Sequence, residues 1–266
     1  MDFIFNSSPS WIVSSILVMF PSILFCLIIL WIVRKTFSIH ELRKNHDVVG
    51  FSFSIIGVLY SVILGFTVIS AQSRYNEVLQ TVENEAIMLA DLYRDAGLFA
   101  PEEKQAIRTS LRNYVDYVIK KEWWQPIERK IRMETQDVME KIWKSYYDIT
   151  IRDEKTKIWY AESISKLDNF MNARLSRQFS SWQHLGTMMW TLLIVGAVVT
   201  ISFMYFFGLE SLHVQMMMTA LIAGYLSFML YLVFSLDNVL KGPEGIKPDS
   251  LEQIYALFDR WDQAER

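Results

Sequence analysis

The stretch from Val48 to Ala96 constrains this chain more than any other. Val48–Ala71 holds no Asp, Glu, Lys or Arg, and from Gln72 onward the residues turn polar with no Pro or Gly before Gly97. About 24 apolar residues at ~1.5 Å each match the thickness of a bilayer core. Nothing after them stops a helix. The expectation is therefore one continuous rod, roughly 70 Å long, that leaves the membrane and runs on into water. A chain with such a rod is an integral membrane protein.

Three more apolar runs join it. Trp11–Val33 has Trp11 and Trp31 near its ends, where indole rings favour the membrane interface, and Pro21 in its middle. A secretory leader fits this run poorly, because the basic n-region and the small-residue cleavage site are missing. Leu185–Phe207 and Leu212–Leu236 are two further spans, joined by Gly208-Leu209-Glu210-Ser211. The fold class expected is all-α: four transmembrane helices with a helical extramembrane domain inserted between spans 2 and 3. The boundaries are 1–71 for spans 1 and 2, 72–184 for the helical domain, 185–236 for spans 3 and 4, and 237–266 for a tail. In the tail, Ser250 and Gln253 suggest a capping box before a short helix with Leu251, Ile254, Phe258 and Trp261 on one face.

Span 2 carries two stripes. Gly50, Ser54, Gly57, Ser61 and Gly65 recur every three or four residues and form a row of small side chains. Ile55, Leu59, Val62, Phe66 and Ile69 form a bulky row. A small row lets another helix backbone approach closely in lipid, either within the chain or around a pore or oligomer axis. Past Ala71, Leu79, Val82, Ala86, Leu89, Tyr93 and Ala96 form a short heptad seam, while Glu77, Glu83, Glu85 and Asp91 supply polar positions beside it. Pro101 with Glu102 and Glu103 opens the next helix, which closes near Glu122-Trp123-Trp124-Gln125-Pro126. Ile127–Ile149 (Ile131, Val138, Ile142, Trp143) and Asp153–Gln183 (Ile158, Ile164, Leu167, Met171, Leu175) read as two amphipathic helices.

Little here points to chemistry. No Ser-His-Asp, Cys-His or paired-carboxylate arrangement is apparent, so an enzyme is not expected and no cofactor is implied. His40 and His46 lie beside Glu41 and Asp47 in the polar loop 34–47, but at no metal-ligand spacing, and no metal site is expected. His213 suits an interfacial position. Cys26 is the sole cysteine, so no disulfide forms within the chain. A net charge of −3 suggests no nucleic-acid partner. None of the four spans carries an ionisable Asp, Glu, Lys or Arg, which argues against an ion-coupled transporter. It leaves either a passive pathway with an apolar constriction or a protein that transports nothing.

The segment Gly50–Phe66, with Glu85-Ala86, Leu92-Tyr93-Arg94 and Glu122-Trp123, resembles the bacterial bestrophin-like membrane proteins. The resemblance covers nearly the whole chain. It implies distant similarity to bestrophins, which are pentameric anion channels whose second span lines the pore. Carried over, the pore-lining role falls on Leu59, Val62, Ile63 and Phe66. Where bestrophins hold an acidic calcium clasp after the fourth span, this chain offers only Asp237. Side preference is contested: Arg34, Lys35, Arg43 and Lys44 place loop 34–47 in the cytoplasm and the insert outside, whereas bestrophins keep the insert inside. We give the loop charge precedence. Two functions follow: a homo-oligomeric channel for small anions in the bacterial inner membrane, crossing it several times, or a membrane scaffold or sensor whose helical domain binds a partner.

Overall fold

The computed structural model describes residues 10–44, 46–124, 129–180, 184–240 and 245–265. All regular structure among them is helical: α1 (Ser10–Thr36), α2 (Ile39–Lys44), α3 (His46–Asp95), α4 (Pro101–Tyr117), α5 (Arg129–Tyr147), α6 (Glu154–Ser180), α7 (Thr187–Tyr205), α8 (Leu212–Asp237) and α9 (Asp249–Ala264). Four of these, α1, α3, α7 and α8, are long and apolar enough to cross a membrane. The chain divides into two compact units, residues 1–75 with 184–245, and 76–183 with 246–266.

The 50-residue α3 runs without a break, as the missing helix stops require. It starts earlier than expected. Most of the polar loop is helical, as α2 and as the first turn of α3, where Asp47 suits the helix dipole.

In the first unit, α8 packs on α1 and α7. Gly224 is the point of approach to α1, since a Cβ there would stand 3.2 Å from Ile23 Cδ1 and 3.6 Å from Met19 Cε. Tyr60 of α3 turns an edge of its ring against Gly196 of α7. A Cβ at 196 would fall 2.3 Å from its ring, and its hydroxyl donates to the Leu193 carbonyl at 2.9 Å. Leu64, Leu193, Ala197, Leu226 and Val233 complete that core. The end of α7 leaves carbonyls unpaired in an apolar setting. Gln215, fully buried on α8, donates from Nε2 to the Met204 and Tyr205 carbonyls at 3.0 and 3.4 Å. Gly208 makes the turn between α7 and α8 at φ 57°, a conformation that disfavours residues with a Cβ. The outward surface of this unit is apolar, as a bilayer-facing surface must be.

The second unit is amphipathic helices around a polar-centred core. The heptad seam turns inward: Val82, Ala86, Leu89, Tyr93 and Ala96 are buried. α4 begins at Pro101, and Glu103 accepts from the Ala100 N–H at 3.1 Å, half of a capping box. It closes in a π-helical turn, Val118–Glu122, earlier than the proline at 126 demands. The inward face of α6 differs from expectation. Ser163, Leu167, Phe170, Arg174 and Arg177 are buried, whereas Ile158 and Leu175 are exposed. α9 forms without the Ser250–Gln253 capping box; Glu252 N–H bonds back to the Pro248 carbonyl at 2.9 Å instead. Its Leu251 and Phe258 are buried as the pattern indicated.

Candidate functional site

The stripes of α3 are the first candidate. Leu59, Val62 and Phe66 point away from the unit's core, 60%, 51% and 69% exposed, and Ile55, Val58 and Ile69 share their face. Ile63 is separated from them and packs on the core around Tyr60 and Leu64. The small residues sit round the helix from the bulky row. A Cβ on Gly57 or Gly65 would touch nothing within 4 Å, so no described helix uses that approach. Gly50 is the exception, 3.9 Å from the Phe207 ring. Ser54 and Ser61 spend their hydroxyls on the Gly50 and Val58 carbonyls. Gly57, Ser61 and Gly65 instead floor a crevice of about 460 Å³ whose walls include Tyr60, Thr200, Tyr225 and Met229.

The second candidate is a buried charge cluster in the other unit, which sequence reasoning missed. Arg177 donates from Nε to Glu85 Oε2 at 2.6 Å and from Nη2 to Glu122 Oε1 at 2.9 Å. Arg174 Nη2 reaches Glu122 Oε2 at 3.4 Å, the same oxygen that accepts from Thr135 Oγ1 at 3.0 Å. Tyr114 donates its hydroxyl to Glu85. Two carboxylates and two guanidinium groups thus neutralise one another where water is excluded. Burial pushes the Glu122 carboxyl upward, but Arg177 and Arg174 outweigh it and hold the group below the usual range. Burial and the neighbouring Glu85 push the Tyr114 hydroxyl well above its ordinary value, so it stays a donor. Glu85, a polar position beside the heptad seam, is completely buried. Its signal was present: it precedes Ala86 in the seam, and α6 places arginines on the same face as Leu167 and Phe170.

Asp237, the residue standing where a calcium clasp would be, has both oxygens engaged. Oδ1 accepts from the Leu185 N–H at 2.6 Å and Arg74 Nη1 at 3.3 Å, and Oδ2 from Trp190 Nε1 at 3.2 Å. It ties the start of α7 to the end of α8. Among the described residues no three His, Cys, Asp or Glu side chains converge to hold a metal; the side chains of Glu41 and His46 lie outside the described set.

The last cluster holds α9. The Phe258 and Tyr93 rings stack at 3.8 Å, and Tyr93 donates its hydroxyl to Asp262. Arg108 pairs with Asp262 and Glu265, and Arg112 with Asp259 and Asp262, at 2.7 to 3.0 Å. Burial, with Asp262 adding to it against Arg112, pushes the Tyr93 hydroxyl up to about 12. Arg108 and Lys104 hold the Glu265 carboxyl down at about 2. These pairings are structural in kind: each fixes one helix to another.

An all-helical protein with long apolar helices and a polar-cored helical unit is a membrane protein, and comparison with known proteins places it. Residues 20–251 match the Bestrophin-like domain, and the chain belongs to that family. Among solved structures, a bacterial bestrophin homologue from Klebsiella pneumoniae carrying a point mutation is 14% identical with a TM-score of 0.70, over 90% of this chain and 98% of that one. A structure of a bacterial bestrophin homologue from the same organism, phased on zinc, gives 15% and 0.70, over 89% and 96%. A variant described only as a membrane protein gives 14% and 0.69, over 89% and 97%. Comparison with curated proteins by sequence gives no match.

Proposed function

We propose that this bestrophin-like membrane protein is a homo-oligomeric channel for small anions, with α3 around the axis and no enzymatic role. The observation that carries the reading is the pair of unpartnered stripes on α3. Leu59, Val62 and Phe66 present bulky apolar side chains left largely uncovered by the described residues, suited to a constriction that gates by dewetting. Gly57, Ser61 and Gly65 lie roughly a quarter to a third of a turn round the helix. That is where the next copy stands when the bulky row faces a ring axis, and the crevice there gives its helix room. The family relationship favours five copies. Residues 72–184 and the tail stand outside the bilayer, and the chain crosses the bacterial inner membrane several times.

The second reading is a scaffold or sensor whose helical domain binds a partner; burial of Val82, Ala86, Leu89, Tyr93 and Ala96 within the helical unit leaves little of the heptad seam open to such a partner. Flux through proteoliposomes tests the channel reading. Phe66→Ala and Val62→Ser should each raise anion flux at least severalfold, while Ile63→Val should not. A purified protein that stays monomeric and passes no ion under varied voltage refutes it.

A further inference from the structure

α1 ends in two adjacent cations, Arg34 and Lys35. Arg34 donates from Nη2 to the Leu209 carbonyl in the turn between α7 and α8. Its Nε and Nη1 are shielded from water and have no acceptor among the described residues. Lys35 makes no ion pair among the described residues; its ammonium stands 5.3 Å from the Trp31 ring centroid. The acidic residue in that turn, Glu210, is itself engaged. Two unbalanced cations, one with a guanidinium fork two-thirds unused, therefore sit at one end of an apolar helix. Unpaired buried donors on a charged group are costly, so an acceptor is missing from this picture.

The surroundings say what kind. Trp31, Phe37 and Phe206 are all largely exposed, and the last two meet edge to face at 6.3 Å. Exposed aromatic rings beside snorkelling cations mark the depth of lipid headgroups. Ile28 and Ile32 continue the exposed flank of α1 into the apolar band. An acceptor at this depth that matches a guanidinium fork and carries negative charge is a phosphate group.

We propose that Arg34 and Lys35 form a binding site for the phosphate of an anionic phospholipid, its chains lying along the exposed flank of α1. Arg34 supplies Nε and Nη1, Lys35 supplies the second charge, and the Leu209 carbonyl holds the guanidinium in place. The shielding must open for a phosphate oxygen to enter. The site stands independently of ion conduction.

The test uses the full chain in phosphatidylcholine vesicles with or without phosphatidylglycerol, with inorganic phosphate alone as a separate arm. Retained lipid is counted by native mass spectrometry, and the thermal midpoint is followed in parallel. Wild type should retain phosphatidylglycerol and gain thermal stability from it. Arg34→Gln should weaken retention about tenfold, as loss of a charge-assisted fork implies. Arg34→Lys keeps the charge and can keep the Leu209 bond, which guards against simple misfolding; it should still lose most of the preference. Lys35→Gln should lose less. Equal retention by wild type and Arg34→Gln overturns the site and leaves only diffuse attraction. A midpoint raised equally by inorganic phosphate keeps the phosphate chemistry but overturns a lipid as its source.

Discussion

Replacing Arg177 by Met tests the charge cluster most directly. Arg177 is buried with its side chain 4% exposed, and it serves both Glu85 and Glu122. Methionine fills much of the same space, so the change removes charge and hydrogen bonds rather than packing. Among the described residues, Glu85 then keeps only the Tyr114 hydroxyl, and Glu122 keeps Arg174, Thr135 and Gln178. Breaking a buried pair by deleting one partner costs about 3–5 kcal/mol. That corresponds to a midpoint lowered by about 10–15 °C for a unit of this size. Far-UV circular dichroism against temperature reads it. In wild type, the depressed Glu122 carboxyl contributes stability above its ordinary value of 4.5, lost as pH falls through the folded value. In Arg177→Met only Arg174 remains between two buried carboxylates, and Glu85 has lost its cation, so acidifying from neutral should recover stability by neutralising one of them. Adding Glu85→Gln should recover part of the loss for the same reason. A deficit under about 1 kcal/mol, or one that neither acid nor Glu85→Gln relieves, refutes the reasoning.

Other expectations follow from single contacts. Gly196→Ala pushes a methyl into the Tyr60 ring and should cost at least about 1–3 kcal/mol, with Tyr60→Ala in the same chain relieving part of it; an additive double variant would contradict the contact. Phe258→Ala should cost about 3–5 kcal/mol and speed hydrogen exchange across α9, whereas Asp262→Asn, at a partly exposed carboxylate, should do far less. Because the Glu265 carboxyl is held at about 2, against an ordinary 4.5, the hold on the end of α9 should be constant near neutral pH and weaken between those values; exchange rates at Ala264 and its neighbours, measured against pH, check this.

The helices were legible because their signals are local. Charge-free runs marked α1, α7 and α8, and the lack of any stop predicted the full length of α3. The seam of Val82, Ala86 and Leu89 was readable by period, as was Phe258 in the tail. What escaped depends on partners far apart in sequence. The cation that lets Glu85 be buried, Arg177, lies 92 residues on, and the face of α6 was mis-set because Arg174 and Arg177 turn inward while the apolar Ile158 and Leu175 turn outward. The candidate site was half legible: spacing grouped Leu59, Val62 and Phe66 but could not tell that Ile63 turns inward.

Both compact units are discontinuous along the polypeptide, and the second takes its closing helix from residues 249–264. During synthesis, at about 5–20 residues per second, α3 to α6 are made many seconds before Phe258 arrives to cover Tyr93. Until then Tyr93, Arg108 and Arg112 form an open aromatic and basic notch awaiting its plug. The unit built around Tyr93 is therefore completed only after α9 is made.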